Sequence, residues 1–263
     1  MCGIIGIINN QEAAMLAYMG LYAQQHRGQE GAGIVSNDSD KIYRHMGEGL
    51  VSDVFSDPNI FKGLPGKSAI GHVRYSTTGD SDVRNVGPLT FNMGSYSLSI
   101  AHNGNLVNIE KIKNELLNDG ALFQTSTDTE IIIHLIAKEK GATLIDKVEN
   151  ALLKIEGAYS LLLLSEDGII AARDPMGIRP FCMGKLNDTY IFASETCALD
   201  LLGARYLREI NPGEILIINK NNKINSKIFR KSKNTKHCIF EYIYFSRPDS
   251  RIFGKNVDKM RRE

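Results

Sequence analysis

The 263-residue chain holds only four cysteines, at positions 2, 182, 197 and 238, with no CxxC spacing and no repeated frame. That argues against a disulfide scaffold and fits a reducing, cytoplasmic setting. An excess of either charge is missing too. Lys and Arg number 31 against 30 Asp and Glu, which gives no case for nucleic acid as a partner. The one basic stretch, Lys220 to Lys236, is lysine- and asparagine-rich and reads as a solvated hairpin or connection. No apolar run approaches the roughly 20 residues that span a bilayer, so no membrane partner is expected. The amino terminus lacks the basic start, apolar run and small-residue cleavage site of a signal peptide. A glycine-rich dinucleotide fingerprint and regular strand-crossover units are absent as well. With 43% hydrophobic residues, a chain of this length buries a core without disulfides or metals, as one large domain or two smaller ones.

Residues Met1-Cys2-Gly3 lead straight into Ile4-Ile5-Gly6-Ile7-Ile8, a short β-branched run closed by Asn9-Asn10 that predicts a buried strand. Cys2 then stands at the mouth of that strand. If Met1 is removed, Cys2 carries both a thiol of pKa about 8.5 and an α-amine of about 7.7 to 8.0, a nucleophile and a base in one residue. A core cysteine one residue from the end is the other reading of that position.

Residues 12–24 predict an amphipathic helix, 32–36 and 41–45 a hairpin, 51–61 a short helix, and 68–75 a second buried strand delivering polar residues at its end. Residues 76–82 read as a mobile flap or a surface connection. A strand over 97–102 and a helix over 111–117 put Asn103-Gly104-Asn105 in a strand-to-helix connection. Ser126 or Thr127 caps a helix over 131–137, with Glu130 completing a capping box if Thr127 is the cap. Asp128 then falls in the first turn, where a carboxylate is favoured anyway. A helix over 144–155 is followed by strands at 158–164, 168–172, 181–183, 189–193 and 214–218, a short helix from 197 to 205, and an aromatic strand over 238–245. Cys182 and Cys197 read as small apolar fillers. About ten short strands around four or so helices predict an α+β fold, a four-layer αββα sandwich of two stacked sheets with helices outside. The final residues open a helix that the chain does not finish, which hints at one part of a larger enzyme.

Cys2-Gly3-Ile4, His26-Arg27-Gly28-Gln29-Glu30, His72-Val-Arg74-Tyr75-Ser76-Thr77-Thr78-Gly79, His102-Asn103-Gly104-Asn105, Thr127-Asp128-Thr129-Glu130 and Arg173-Asp174-Pro175 occur in one order along the chain. In that order they resemble the class II glutamine amidotransferases, N-terminal nucleophile hydrolases. Arg74 to Gly79 and Glu241 to Ser250 are similar to the amidophosphoribosyltransferase branch. The resemblance covers essentially the whole chain and implies a glutaminase domain over 1–236. Residues 237–263 would then be a closing strand and the start of a linker to a phosphoribosyltransferase domain.

The resemblance further implies that Cys2 attacks the glutamine side-chain amide, and that its α-amine relays the proton. Asn103 and Gly104 would stabilise the oxyanion, Arg74 would hold the α-carboxylate and Asp128 the α-ammonium. Arg27 would orient the nucleophile, Thr77 would lie in a flap over L-glutamine, and His72 would stand among the substrate-binding residues. No cofactor is implied for the glutaminase step. Mg2+ and 5-phosphoribosyl 1-diphosphate belong to the second domain of such enzymes, which make 5-phosphoribosylamine at the opening of purine synthesis and are expected to be homo-tetramers. Some members carry an iron–sulfur cluster, for which Cys238 is a candidate ligand, with further ligands needed from elsewhere. Rival readings are the glutaminase domain of another amidotransferase, such as the aminosugar-forming transaminase, a catalytically idle regulatory domain, or a cysteine protease.

Overall fold

The computed structural model describes residues 1–39, 41–76, 82–94 and 96–263. The first half of the chain contains β1 (Gly3–Ile8), α1 (Ala13–Ala23), β2 (Gly31–Asp38), β3 (Lys41–Glu48), α2 (Val51–Val54), β4 (Ser68–Arg74), β5 (Leu89–Asn92) and β6 (Ser97–Leu106). The helices α3 (Ile109–Asn118), α4 (Asp128–Lys138) and α5 (Leu144–Leu152) come next. The second half turns to strands: β7 (Gly157–Ser165), β8 (Gly168–Arg173), β9 (Cys182–Leu186) and β10 (Thr189–Ala193). After α6 (Thr196–Leu201) come β11 (Arg205–Glu209), β12 (Glu214–Asn219) and β13 (Ile224–Ile228). The chain closes with β14 (Arg251–Ile252), β15 (Lys255–Asn256) and α7 (Val257–Arg262).

Among the described residues the strands form two large antiparallel sheets, one ordered β11-β9-β10-β1-β4-β2-β3 and the other β13-β12-β8-β7-β6-β5, with β14 and β15 paired apart from them. The first strand of the chain is thus the central strand of the seven-stranded sheet, paired with β4 on one side and β10 on the other. Every residue of β1 is buried, which explains its unbroken apolar sequence: neither face meets water. Ile5 and Ile7 pack under α1 with Leu21 and Leu199, whereas Ile4 and Ile8 meet Ile70, Leu162 and Leu164 between the sheets. On the far side of the second sheet, Ile132 and Ile136 of α4 and Val148 of α5 cover Leu161 and Leu163. Helices, sheet, sheet, helices: the predicted four layers are those of the structure.

Several local expectations are corrected. Asn103, Gly104 and Asn105 lie inside β6, opposite Ser160, Tyr159 and Ala158 of β7, and not in a connection to a helix. The Asn-Gly turn signal is local, and eight ladder pairs with β7 override it. The aromatic run expected as a strand over 238–245 is helical, ending in a π-turn at Glu241–Phe245. A short apolar run reads alike in either form, and here burial alternates between an inward Glu241-Tyr242 and an outward Ile243-Tyr244. The strand β11 was not anticipated. Thr127 is the N-cap of α4 without a side-chain cap bond, and Glu130 instead accepts the backbone N–H groups of Gln124 and Thr125. The single helix expected over 51–61 divides into α2 and a 3-10 segment at Pro58–Gly63. Among the described residues no helix is long and apolar enough to cross a membrane.

Leu162, wholly buried between the two sheets, tests the layer assignment. Leu162→Ala is expected to cost about 2–5 kcal/mol of unfolding free energy, read from the denaturant midpoint at unchanged slope. A loss below about 1 kcal/mol would mean that the sheets do not pack there as described.

Candidate active site

Alternation along the strands decides what meets at the open end of the sandwich. In β1 the even residues Ile4 and Ile8 face the space between the sheets, and Cys2 continues that parity. In β4, Ile70 faces the same space, so His72 and Arg74 follow it. In β6 it is the odd Ala101 that points between the sheets, and Asn103 follows its parity, while His102 and Gly104 on the other parity line the cavity that Cys2 also lines. Gly3 pairs with Val73, so the register leads from Cys2 to Arg74. The Cys2 Sγ lies 3.5 Å from the Tyr75 carbonyl oxygen.

One cavity is lined by Cys2, His72, Arg74, Gly104 and Asp128, with His102 and Thr129 beside them. It is not the largest hollow; one of about 550 Å³ lies beside Asn105, Tyr159 and Pro175, but it holds no nucleophile. Chemistry, not volume, marks the first one. A thiol, a guanidinium and a carboxylate converge there, the set a zwitterionic amino acid with a reactive carbonyl requires.

Each group has a local reason for its place. Arg74 donates to the Asn85 carbonyl at 2.9 Å, and its Nε stands 4.0 Å from Glu30. Glu30 also accepts the backbone N–H and the hydroxyl of Ser76, anchoring the chain where it leaves β4. A Cβ on Gly28 would come within 2.6 Å of the Arg74 backbone, so the glycine permits the close approach of that turn to β4. Gly104 is equally constrained: a Cβ there would lie 1.9 Å from the Ala158 oxygen and 2.7 Å from the His102 ring. Asn103 is fully buried, and neither its amide nitrogen nor its amide oxygen has a hydrogen-bond partner among the described residues. Buried amides are normally satisfied, so this one is a donor in waiting.

Asp128 accepts the Leu106 N–H at 3.0 Å and stands 3.4 Å from His102 Nδ1. Burial pushes its carboxyl up, but His102 and the backbone donors hold it below the usual carboxylate range. Burial pulls His102 down, and the Asp128 charge overrides that to raise it. His72 has no such partner. Burial, Arg74 and His102 lower it to about 3, so the ring is neutral.

Arg27 reaches the nucleophile from the other side. Its side chain has no exposed surface, and its Nε donates to the Cys2 carbonyl oxygen at 2.9 Å. Its remaining donors go to Glu195 and Glu241, both wholly buried, with Nη1 also 3.5 Å from the Ser246 hydroxyl. Burial lowers the Met1 α-amine to about 6; Cys2 and Glu241 oppose the shift, and Arg27 and Arg179 reinforce it. Of the residues expected at the site, Cys2, His72, Arg74, Gly104 and Asp128 share the cavity, Asn103 adjoins it from β6, and Arg27 sits behind Cys2. Thr77 lies outside the described residues. His102, Glu30 and Glu241 stood inside the quoted motifs without a site role, and Glu195 was not singled out. For His102 the period-2 spacing from Gly104 was the available signal; for the glutamates tertiary contact alone decides the placement. Cys238 donates its backbone N–H to Ile178, and no group of three or more metal-ligating side chains is present among the described residues.

A family profile for the glutamine amidotransferase domain matches residues 72–201. Amidophosphoribosyltransferase from Bacillus subtilis is 49% identical over 262 residues, covering 99% of this chain and 55% of that protein. The chloroplastic amidophosphoribosyltransferase 3 of Arabidopsis thaliana is 48% identical, covering 99% of the chain and 49% of the relative. A solved structure of the allosteric regulatory enzyme of purine biosynthesis superposes with a TM-score of 0.94 at 49% identity, over 97% of this chain and 55% of that one. The chain thus spans about half the length of the relatives it matches.

The neutral His72 carries a pH prediction. Its folded pKa lies below the unfolded value of about 6.5, so below that pH the unfolded state binds the extra proton. Stability from this group is therefore present above pH 6.5 and is lost as pH falls toward 3, at up to about 1.4 kcal/mol per pH unit. Acid unfolding followed by circular dichroism is expected to show that slope, and His72→Gln to flatten it; equal slopes would mean that His72 is accessible to protons in the fold. The fold, the convergent cavity and these likenesses agree: the chain belongs to the class II glutamine amidotransferases, in the branch formed by the amidophosphoribosyltransferases.

Proposed function

We propose that this domain hydrolyses L-glutamine to glutamate and ammonia through a thioester on Cys2. The observation that carries this reading is a single cavity presenting a thiol, a guanidinium and a carboxylate. Arg74 takes the substrate α-carboxylate and Asp128, with His102 beside it, the α-ammonium. That fixes the side-chain amide near Cys2. With Met1 removed, the Cys2 α-amine accepts the thiol proton as sulfur adds to the amide carbon, and it passes that proton to the departing nitrogen. The C–N bond breaks and ammonia leaves. Water then attacks the thioester, the C–S bond breaks, and glutamate and the thiol are regenerated. The oxyanion of both tetrahedral intermediates is stabilised by the unpaired Asn103 amide and the Gly104 N–H. Arg27, through the Cys2 carbonyl, orients the nucleophile.

In the longer protein, we infer that the ammonia is passed to 5-phosphoribosyl 1-diphosphate, held with Mg2+ in the remaining half, to yield 5-phosphoribosylamine for purine synthesis. A homo-oligomer working in the cytosol fits this assignment and the four free thiols.

Intact mass before and after 6-diazo-5-oxo-L-norleucine, a glutamine mimic that alkylates the nucleophile, tests the chemistry. A chain without Met1 that gains one adduct on Cys2 supports it; a chain without Met1 that gains none overturns it. In the same assay system, Asn103→Ala is expected to lower glutaminase kcat about 10²- to 10³-fold, or about 2.7–4 kcal/mol. Most of the loss should fall on kcat rather than KM.

A further inference from the structure

The Cys2 carbonyl is held by a guanidinium whose own orientation is set from the far end of the chain. Glu241 lies in the helical segment after the exposed strand β13, 214 residues beyond Arg27, yet its carboxylate has no exposed surface. Its Oε1 accepts from Arg27 Nη2 and its Oε2 from Nη1, both at 3.0 Å. Ser246 donates to the same Oε2 at 2.9 Å, and Arg179 stands 3.7 Å from Oε1. Two parallel bonds to a planar fork fix both its position and the plane in which Nε–H points.

Glu195 does not duplicate this. It contacts Arg27 through Nη1 alone, at 2.5 Å, and its carboxylate is otherwise taken up by the Arg247 N–H, the Ser250 hydroxyl and His26. A single contact at one nitrogen is a pivot, whereas the Glu241 fork is a lock. With Glu241 gone, the guanidinium is free to swing about Nη1, and the Nε bond to the Cys2 carbonyl is the first to suffer.

We propose that Glu241 is a positioning residue for the Cys2 nucleophile: through its two-point grip on Arg27 it sets the direction from which the thiol meets the substrate amide. It touches neither substrate nor thiol. The segment that carries it is therefore part of the glutaminase machinery and not simply a passage to whatever follows. This rests on the assignment of Cys2 as the nucleophile.

Misplacement of a reacting atom by about 1 Å costs about 10²-fold in rate, so that is the scale of loss expected for Glu241→Gln. The test uses the chain with Met1 removed and measures the inactivation rate constant and the binding constant for 6-diazo-5-oxo-L-norleucine separately. Iodoacetamide serves as a second probe, because it needs an accessible thiolate but no alignment. Expected for Glu241→Gln is a fall of about 10²-fold in the inactivation rate constant, with the binding constant, the iodoacetamide rate and cooperative melting retained. An unchanged inactivation rate constant overturns the proposal. So does a loss confined to the binding constant, which would make Glu241 part of the glutamine site. If Glu241→Gln does not fold, Glu241→Asp keeps the buried charge and withdraws the fork by one methylene. A slower inactivation at unchanged binding then supports the positioning role, and an unchanged rate overturns it. If the unaltered chain forms no Cys2 adduct, the nucleophile assignment itself fails and this proposal falls with it.

Discussion

The hydrogen bond from Arg27 to the Cys2 carbonyl is small, yet the arrangement around it is expensive to build. A guanidinium without exposed surface is tolerated only when its charge is balanced and its donors are filled. Glu195 and Glu241 do both, at the cost of burying two carboxylates. Burial pushes Glu195 up, but Arg27 and His26 bring it down to about 2, so it stays ionised through the physiological range. Replacing the whole group by apolar side chains would often be neutral or stabilising in a protein core. What such a replacement would lose is direction: apolar packing cannot aim a peptide carbonyl.

The two sheets contribute complementary halves of the cavity. The seven-stranded sheet brings the thiol, His72 and Arg74 on neighbouring strands, where ladder pairing fixes their spacing. The six-stranded sheet brings Asn103 and Gly104, and the helix packed on it brings Asp128. A charge-bearing group at a helix start and a backbone donor in a strand are both held by regular structure, so little side-chain freedom is left to lose on binding. The site lies across a layer boundary, and its geometry depends on how the layers pack.

How much of this could be read from the residues differs from place to place. Cys2 before an apolar run, Arg74 at the end of a buried strand and Asp128 at a helix start were legible, because each follows from short-range pattern plus an ordered set of motifs. The layers were legible for the same reason, since strand and helix periods change cleanly along the chain. Asn103 was expected in a connection and lies inside a strand, because an Asn-Gly pair advertises a turn while pairing to β7 is a long-range fact. The segment 238–245 was misread for a related reason. Its apolar run has no period that separates strand from helix, and the feature that decides it, Glu241 turned inward to Arg27, is invisible without the fold. Glu195 had no local signal at all.

The position of β1 has a consequence for how the chain comes into being. β1 is the central strand of its sheet, and one of its two neighbours, β10, pairs Ile191 with Ile7 and Ala193 with Ile5. At about 5–20 residues per second, that neighbour leaves the ribosome on the order of ten seconds or more after β1. Until then the amino terminus has only part of its sheet, and contacts this distant in sequence form late. In the finished fold Met1 is 5% exposed. A peptidase needs an extended, free terminus, and the folded chain does not present Met1 as one. The thioester chemistry proposed for Cys2 would need that terminus opened before β10 closes the sheet beside it, which couples the chemistry of the first residues to strands made from the far half of the chain.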